Sequence, residues 1–238
     1  MTRVTLLIPM MMALLSCPPA ALADGFGINA TRLIYPQGAG SIAVTVRNTQ
    51  PTLPYLVQTS ISRAADSYKT TPFTVTPPIF RLEPKSVNQI RIAGNDSDLP
   101  KDRESVFYFH ATAIPATTAP TENQSSTGVQ ASVQFGVGSI IKLFYRPADL
   151  SSSSTDAQKN LKFSAGKSGL EVSNPSPYFV SFASIKFGGQ ALKLDTPAAL
   201  MIAPFSTHTY PTTVKSGSVE WQTINDQGGV DAFKQLLP

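Results

Sequence analysis

Cysteine is almost missing from this 238-residue chain: Cys17 stands alone, close to the N-terminus. No disulfide can brace the fold, so its domains must hold together by burial of apolar surface. Histidine is nearly as scarce. His110 and His208 are the only two, too few for an imidazole-rich zinc site without added carboxylates, and no HExxH spacing occurs. His110 lies in the alternating run FYFHATA and reads as a packed or surface strand residue. Neither GxSxG nor a P-loop is present, and Gly136-Val137-Gly138-Ser139 is half a glycine motif with no helix after it to bind phosphate. Asn95-Asp96-Ser97-Asp98 is acidic but lacks the remaining ligands of a calcium loop, and reads as a turn. The chain therefore offers no catalytic residue and no metal site, and neither an enzyme nor a cofactor is expected. Charge is also sparse, at 14% of residues against roughly 25% in an ordinary soluble domain. The net charge of +4 contains no basic run able to track a phosphate backbone, so no nucleic-acid partner is expected. No apolar run reaches the roughly 20 residues of a membrane span, and no stable membrane insertion is expected.

What is present begins with an export signal. Arg3, an apolar stretch from Val4 to Leu15 and the small-x-small sequence Ala21-Leu22-Ala23 together read as a cleaved signal peptide over residues 1–23. The mature chain would start at Asp24 and be exported. Past that point helical spacing of apolar residues is almost absent, while short alternating runs are frequent. Ile42, Val44 and Val46 mark one strand; residues 55–61, 87–92 and 106–113 mark others. A second set follows from Leu161: LKF, GLEVS, PYFVSFASIKF, QALKL, ALMIA and SVEWQTI. Proline- and glycine-rich turns separate them. This is an all-β chain of two immunoglobulin-like sandwiches, at 24–147 and 148–238, hinged at Pro147. The serine run 151–154 reads as an exposed loop opening the second domain.

One strand is out of proportion. Residues 129–145, VQASVQFGVGSIIKLFY, run about three times the usual five or six. They follow thirteen residues, 116–128, that carry no large apolar side chain and read as a mobile loop. Long apolar edge strands recruit other strands unless charge or proline blunts them, and 129–141 has neither. Pairing there is either a hazard or the purpose of the segment. Self-association through the same edge is expected of the free protein.

Several segments, in order, resemble one family, the periplasmic chaperones of chaperone–usher pili, or PapD-like proteins. They are Thr31-Arg32 before Leu33-Ile34-Tyr35, then Leu53-Pro54-Tyr55-Leu56-Val57-Gln58, Thr76-Pro77-Pro78 and Arg81-Leu82-Glu83-Pro84. Next come Asp102-Arg103-Glu104-Ser105 running into Phe107-Tyr108-Phe109, Ile114-Pro115 and Ile141-Lys142-Leu143-Phe144-Tyr145-Arg146-Pro147. Asn174-Pro175-Ser176-Pro177-Tyr178-Phe179-Val180 and Ile224-Asn225-Asp226-Gln227-Gly228-Gly229 complete the pattern in the second domain. The resemblance implies two domains set at an angle around a cleft. It implies partners too: pilus subunits lacking their last strand, to which the chaperone lends its own, and an outer-membrane usher that receives them. Residue by residue, it implies that Arg32 and Lys142 anchor the subunit's C-terminal carboxylate. Val133, Phe135 and Val137 would be the donor side chains, and Glu104, Arg146 and Asp226 an interdomain ion network. The long loop before the strand departs from short-loop members, but the cysteine pair of long-loop members is missing, which favours the short-loop group. Alternation from Val133 sets Lys142 on the opposite face from the donor residues. A bulge near Gly136 or Gly138, or the turn of the strand into the cleft, would reconcile them. The rival reading is a structural pilus subunit or adhesin, which would ordinarily be a single domain with a disulfide.

Overall fold

The computed structural model describes residues 25–67, 69–94, 98–116 and 135–238. The signal segment, Asn95 to Ser97, nearly all of the loop at 116–128 and the first part of the long strand, Val133 included, lie outside the described residues.

The first domain contains β1 (Phe26–Ile28), β2 (Arg32–Pro36), β3 (Ile42–Asn48), β4 (Tyr55–Ser62), β5 (Phe73–Thr76), β6 (Ile79–Leu82), β7 (Ser86–Gly94), β8 (Ser105–Pro115) and β9 (Val137–Arg146). They form two sheets, in the orders β1-β3-β7-β5 and β2-β9-β8-β4-β6. Period-two alternation turns one side of each strand inward: Val44 and Val46 from β3, Ile90 and Ile92 from β7, and Phe107, Phe109, Ala111 and Ala113 from β8 meet in one dry core. The chain changes sheets between Ile28 and Arg32. Its first three-residue strand pairs with β3, and β2 then crosses to lie parallel to β9. That crossing brings Arg32 directly opposite Lys142, 110 positions later in the sequence.

The second domain holds α1 (Ser154–Lys159), β10 (Lys162–Ala165), β11 (Gly169–Asn174), β12 (Val180–Phe187), β13 (Gln190–Ala191), α2 (Pro197–Leu200), β14 (Met201–Ile202), β15 (Ser206–Pro211), β16 (Gly217–Ile224) and β17 (Val230–Leu237). Its sheets run β10-β11-β15 and β13-β12-β16-β17, with β14 also on β12. Leu170, Val172, Val180, Phe182, Ile185, Tyr210 and Trp221 fill a separate core.

Three sequence expectations need correction here. The serine run is not simply loop: Ser153 caps α1, its Oγ accepting from the Asp156 N–H at 3.1 Å, and helix begins at Ser154. ALMIA is not one strand, because Thr196 caps the short helix α2 and only Met201 and Ile202 pair with β12. No bulge interrupts β9, which pairs with β8 in unbroken register from Ala113 opposite Val137 to Ser105 opposite Tyr145.

Candidate functional site

The face of β9 that carries Val137, Ser139, Ile141, Leu143 and Tyr145 points toward the first domain's core. Along that face burial runs out. Tyr145 and Leu143 are fully buried, Ile141 half-buried, Val137 47% exposed and Phe135, just before the strand, 81% exposed. The inward face of the strand thus outlasts the core it belongs to, leaving Phe135 largely in solvent and Val137 half-covered at the rim beside Phe26 and Tyr55. Its edge behaves similarly. From Lys142 to Tyr145 the strand is held by β8 on one side and β2 on the other; from Val137 to Ile141 it has, among the described residues, β8 alone. Five residues with no partner on that second edge among the described residues, and with neither charge nor proline among them, form a free strand edge. Ile140, on the other face, is 52% exposed.

The free edge ends at two cations. Arg32 and Lys142 are direct neighbours across the parallel β2–β9 pair and point to the same side. Neither has an ion pair among the described residues. Burial lowers the Lys142 pKa below its usual range, and the adjacent Arg32 charge lowers it further. Burial also depresses Arg32, whose guanidinium lies 5.5 Å from the Phe144 ring centre and whose Nε is buried without a hydrogen-bond partner. Two like charges held together and partly desolvated are unfavourable unless an anion joins them.

Four residues on, Arg146 has the opposite surroundings. Its Nε donates to Glu104 Oε1 at 2.7 Å, while Nη1 and Nη2 donate to Asp226 Oδ2 and Oδ1 at 2.7 and 3.0 Å. Glu104 belongs to the first domain and Asp226 to the second, so one planar fork spans the junction. Glu104 reaches further across: its Oε2 accepts from Phe179 N–H at 2.9 Å, and its own N–H donates to Pro177 O at 2.9 Å. Burial works against the Arg146 charge, but the Asp226 bonds and the Glu104 field outweigh it and raise its pKa. Burial raises the pKa of the deeply enclosed Glu104 carboxyl despite Arg146. Burial pushes Asp226 the same way, but there the bonds to Arg146 and Ser154 prevail and its pKa is lowered.

Sequence reasoning missed Ser154. The first residue of α1, it donates through Oγ to Asp226 Oδ2 at 2.9 Å, and the same helix is tied inward by Thr223 Oγ1 donating to Gln158 Oε1 at 2.6 Å. The available signal was Ser153 with Asp156 three residues later, a cap-like spacing at the head of a helix. The turn carrying Asp226 also presses on the first domain: a Cβ at Gly228, whose φ is +83°, would sit 2.3 Å from Thr31 Oγ1. His110 lies in β8 beside Ser62, its Nε2 2.7 Å from Ser62 Oγ. Because the Ser62 hydroxyl donates to Ala64 O, the ring nitrogen is the donor in that contact. No group of metal-ligating side chains occurs among the described residues, and none of their helices is long and apolar enough to cross a membrane.

Known proteins resemble this chain in sequence and fold. The family described as "Pili and flagellar-assembly chaperone, PapD N-terminal domain" matches residues 25–151, and "Pili assembly chaperone PapD, C-terminal domain" matches residues 156–235. The probable fimbrial chaperone ElfD of Escherichia coli K12 is 37% identical over 219 residues, covering 90% of this chain and 88% of its own. Chaperone protein HifB of Haemophilus influenzae is 37% identical over 222 residues, covering 89% and 87%. Among solved structures, the complex of Salmonella enterica SafA pilin with the SafB chaperone contains a chain matching at TM-score 0.75 and 30% identity, covering 92% of this chain and 99% of that one. The E. coli chaperone DraB matches at TM-score 0.75 and 30% identity, over 90% and 97%. With both domains matched and relatives at this identity aligned over most of their length, the chain belongs to the PapD family of pili assembly chaperones.

Proposed function

We propose that this chaperone captures pilus subunits in the periplasm by adding one of their strands to the free edge of β9, and passes them to an outer-membrane usher. The observation that carries this reading is the unpaired edge from Val137 to Ile141 ending at two half-buried cations without an ion pair. Arg32 and Lys142 receive the subunit's C-terminal carboxylate, and Phe135 and Val137, with Val133 ahead of them, complete its core. The polarity of the added strand follows. β2 occupies the β9 edge from Lys142 onward and begins at Arg32. A strand in line with it, ending in a carboxylate at Arg32, must run toward that residue, and so parallel to β9. In that position its backbone satisfies the free N–H and C=O groups of Val137 to Ile141, while the inward face of β9 enters the groove left by the subunit's missing strand. Lys142 lies on the other face, so the anchor and the donor side chains work from opposite sides of one strand without a bulge.

Within this reading Glu104, Arg146 and Asp226 set the position of the second domain behind the cleft. The test is a double substitution, Phe135→Ser with Val137→Ser, in the full chain co-expressed with its subunit. Each apolar side chain buried on capture is worth roughly 1.5 to 3 kcal/mol, so losing both should weaken binding by at least about a hundredfold. The free protein's melting temperature should move little, since Phe135 is largely exposed and Val137 only half-covered. A fall of several degrees in the free protein, with capture intact, contradicts the reading.

A further inference from the structure

Phe205 is an unusual residue to find where it is. It is a large aromatic 51% exposed to solvent, and it holds a left-handed backbone with φ +53°, a conformation bulky residues rarely adopt. Its N–H donates to Ser176 O at 3.2 Å, fixing the turn between β14 and β15 against the 174–179 loop. Over the ring, 5.0 Å from its centre, lies the guanidinium of Arg103 from the other domain. Arg103 is itself aimed. Asp102 accepts from its Nε at 3.1 and 3.2 Å and from Nη2 at 2.7 Å, which leaves a flat face of the guanidinium free for the ring. The next residue, Glu104, is bonded by backbone and side chain to Pro177 and Phe179.

We infer that Asp102, Arg103 and Phe205 form a cation–π latch that fixes the second domain's orientation, separate from the Arg146 ion network. The network grips two loops of the second domain, around Phe179 and around Asp226. These grips and the covalent link at Pro147 all gather around Arg146, so the second domain can still rock about that point. Arg103 on Phe205 adds a third loop, and with it a stop against that rocking. The strained backbone supports this function: it turns the ring outward to meet the guanidinium, where a relaxed turn would have no reason to place an aromatic side chain in water. Because the cleft cations belong to the first domain and the subunit's body must also clear the second, the latch positions the second domain for capture without touching the subunit's terminal strand.

The test reads domain geometry in the free chain and needs no subunit. In the chain from Asp24 onward, which carries no cysteine, nitroxide labels on Val87→Cys and Leu236→Cys report the interdomain distance distribution; both positions are exposed, one in each domain. Phe205→Leu keeps an apolar side chain but removes the ring, and should raise the unlatched population roughly two- to five-fold, as should Arg103→Ala approached from the other domain. Phe205→Tyr keeps the ring and should overlay the native distribution. Phe205→Gly separates a latch from a packing role, since it relieves the left-handed strain and should leave thermal stability unchanged or higher while broadening the distances as Leu does. Native-like distributions in both Phe205→Leu and Arg103→Ala, or equal broadening by Tyr and Leu, overturn the latch.

Discussion

Lys142 and Arg146 sit four residues apart on the same face of one strand, in the same half-buried junction between domains, yet their surroundings are opposites. Arg146 has two carboxylates on its guanidinium, and its pKa is raised. Lys142 has burial and a second cation, and its pKa is lowered. Both cations stand on β9, Lys142 beside Arg32 of β2 and Arg146 beside Glu104, the residue just before β8. The difference lies in what the second domain contributes: Asp226 accepts from Arg146 and the Phe179 N–H donates to its partner Glu104, and neither is bonded to Arg32 or Lys142. A protein that can satisfy one buried cation so fully has the means to satisfy the other two. Leaving them unpaired has a stability cost, and a carboxylate arriving from outside is what would offset it.

The comparison breaks most forcefully at Arg146. Arg146→Met leaves Glu104 and Asp226 facing each other without a counter-ion, and should cost about 3 to 5 kcal/mol in chemical denaturation and widen the interdomain distances seen by solution scattering. The loss should shrink in acid. Glu104, its pKa already raised, takes up a proton once the guanidinium is gone, so the penalty is greatest at neutral pH and relaxes as pH falls through that raised value. A flat dependence on pH would mean that Glu104 is not the group left stranded.

A smaller effect is expected at Gly228. Gly228→Ala puts a methyl group against Thr31 at a backbone angle that disfavours side chains, and should cost roughly 1 to 3 kcal/mol. It moves the turn that carries Asp226 and the residue next to Arg32 together, so it ought to loosen both clusters where Arg146→Met loosens one. Unchanged stability would show that the turn is free to shift.

Much of the architecture could be read from the amino-acid sequence because it rests on local alternation. Val44 and Val46 in β3, and Phe107 and Phe109 in β8, declare an inward face within a few residues. What could not be read locally is where two distant strands meet. Nothing near Arg32 says that it lies opposite Lys142; that depends on the chain changing sheets after Ile28, and resemblance to a family had to bring the two together. α1 was hidden for a different reason, since a serine run lacks any apolar stripe and only the capping pattern of Ser153 and Asp156 marks it. The Arg103–Phe205 contact was hidden as well, because an aromatic residue in a turn ordinarily suggests burial.

The smallest expected change bears most directly on the account. Lys142→Met preserves the length and packing of the side chain while removing one of two like charges, and should stabilise the free protein by roughly 1 kcal/mol at neutral pH while abolishing subunit capture. The sign of the pH dependence follows from the depressed pKa. The folded native chain gives up the Lys142 proton before the unfolded chain does, so the native protein gains on the variant as pH rises from that depressed value toward the ordinary 10.5, and the variant's advantage fades. Side-by-side denaturation of the native and Lys142→Met proteins across that pH range, with capture measured on the same samples, is the decisive measurement. The account predicts a free protein made more stable by a change that destroys its function; a Lys142→Met chain that is less stable than the native one, or that still captures subunit, would contradict it.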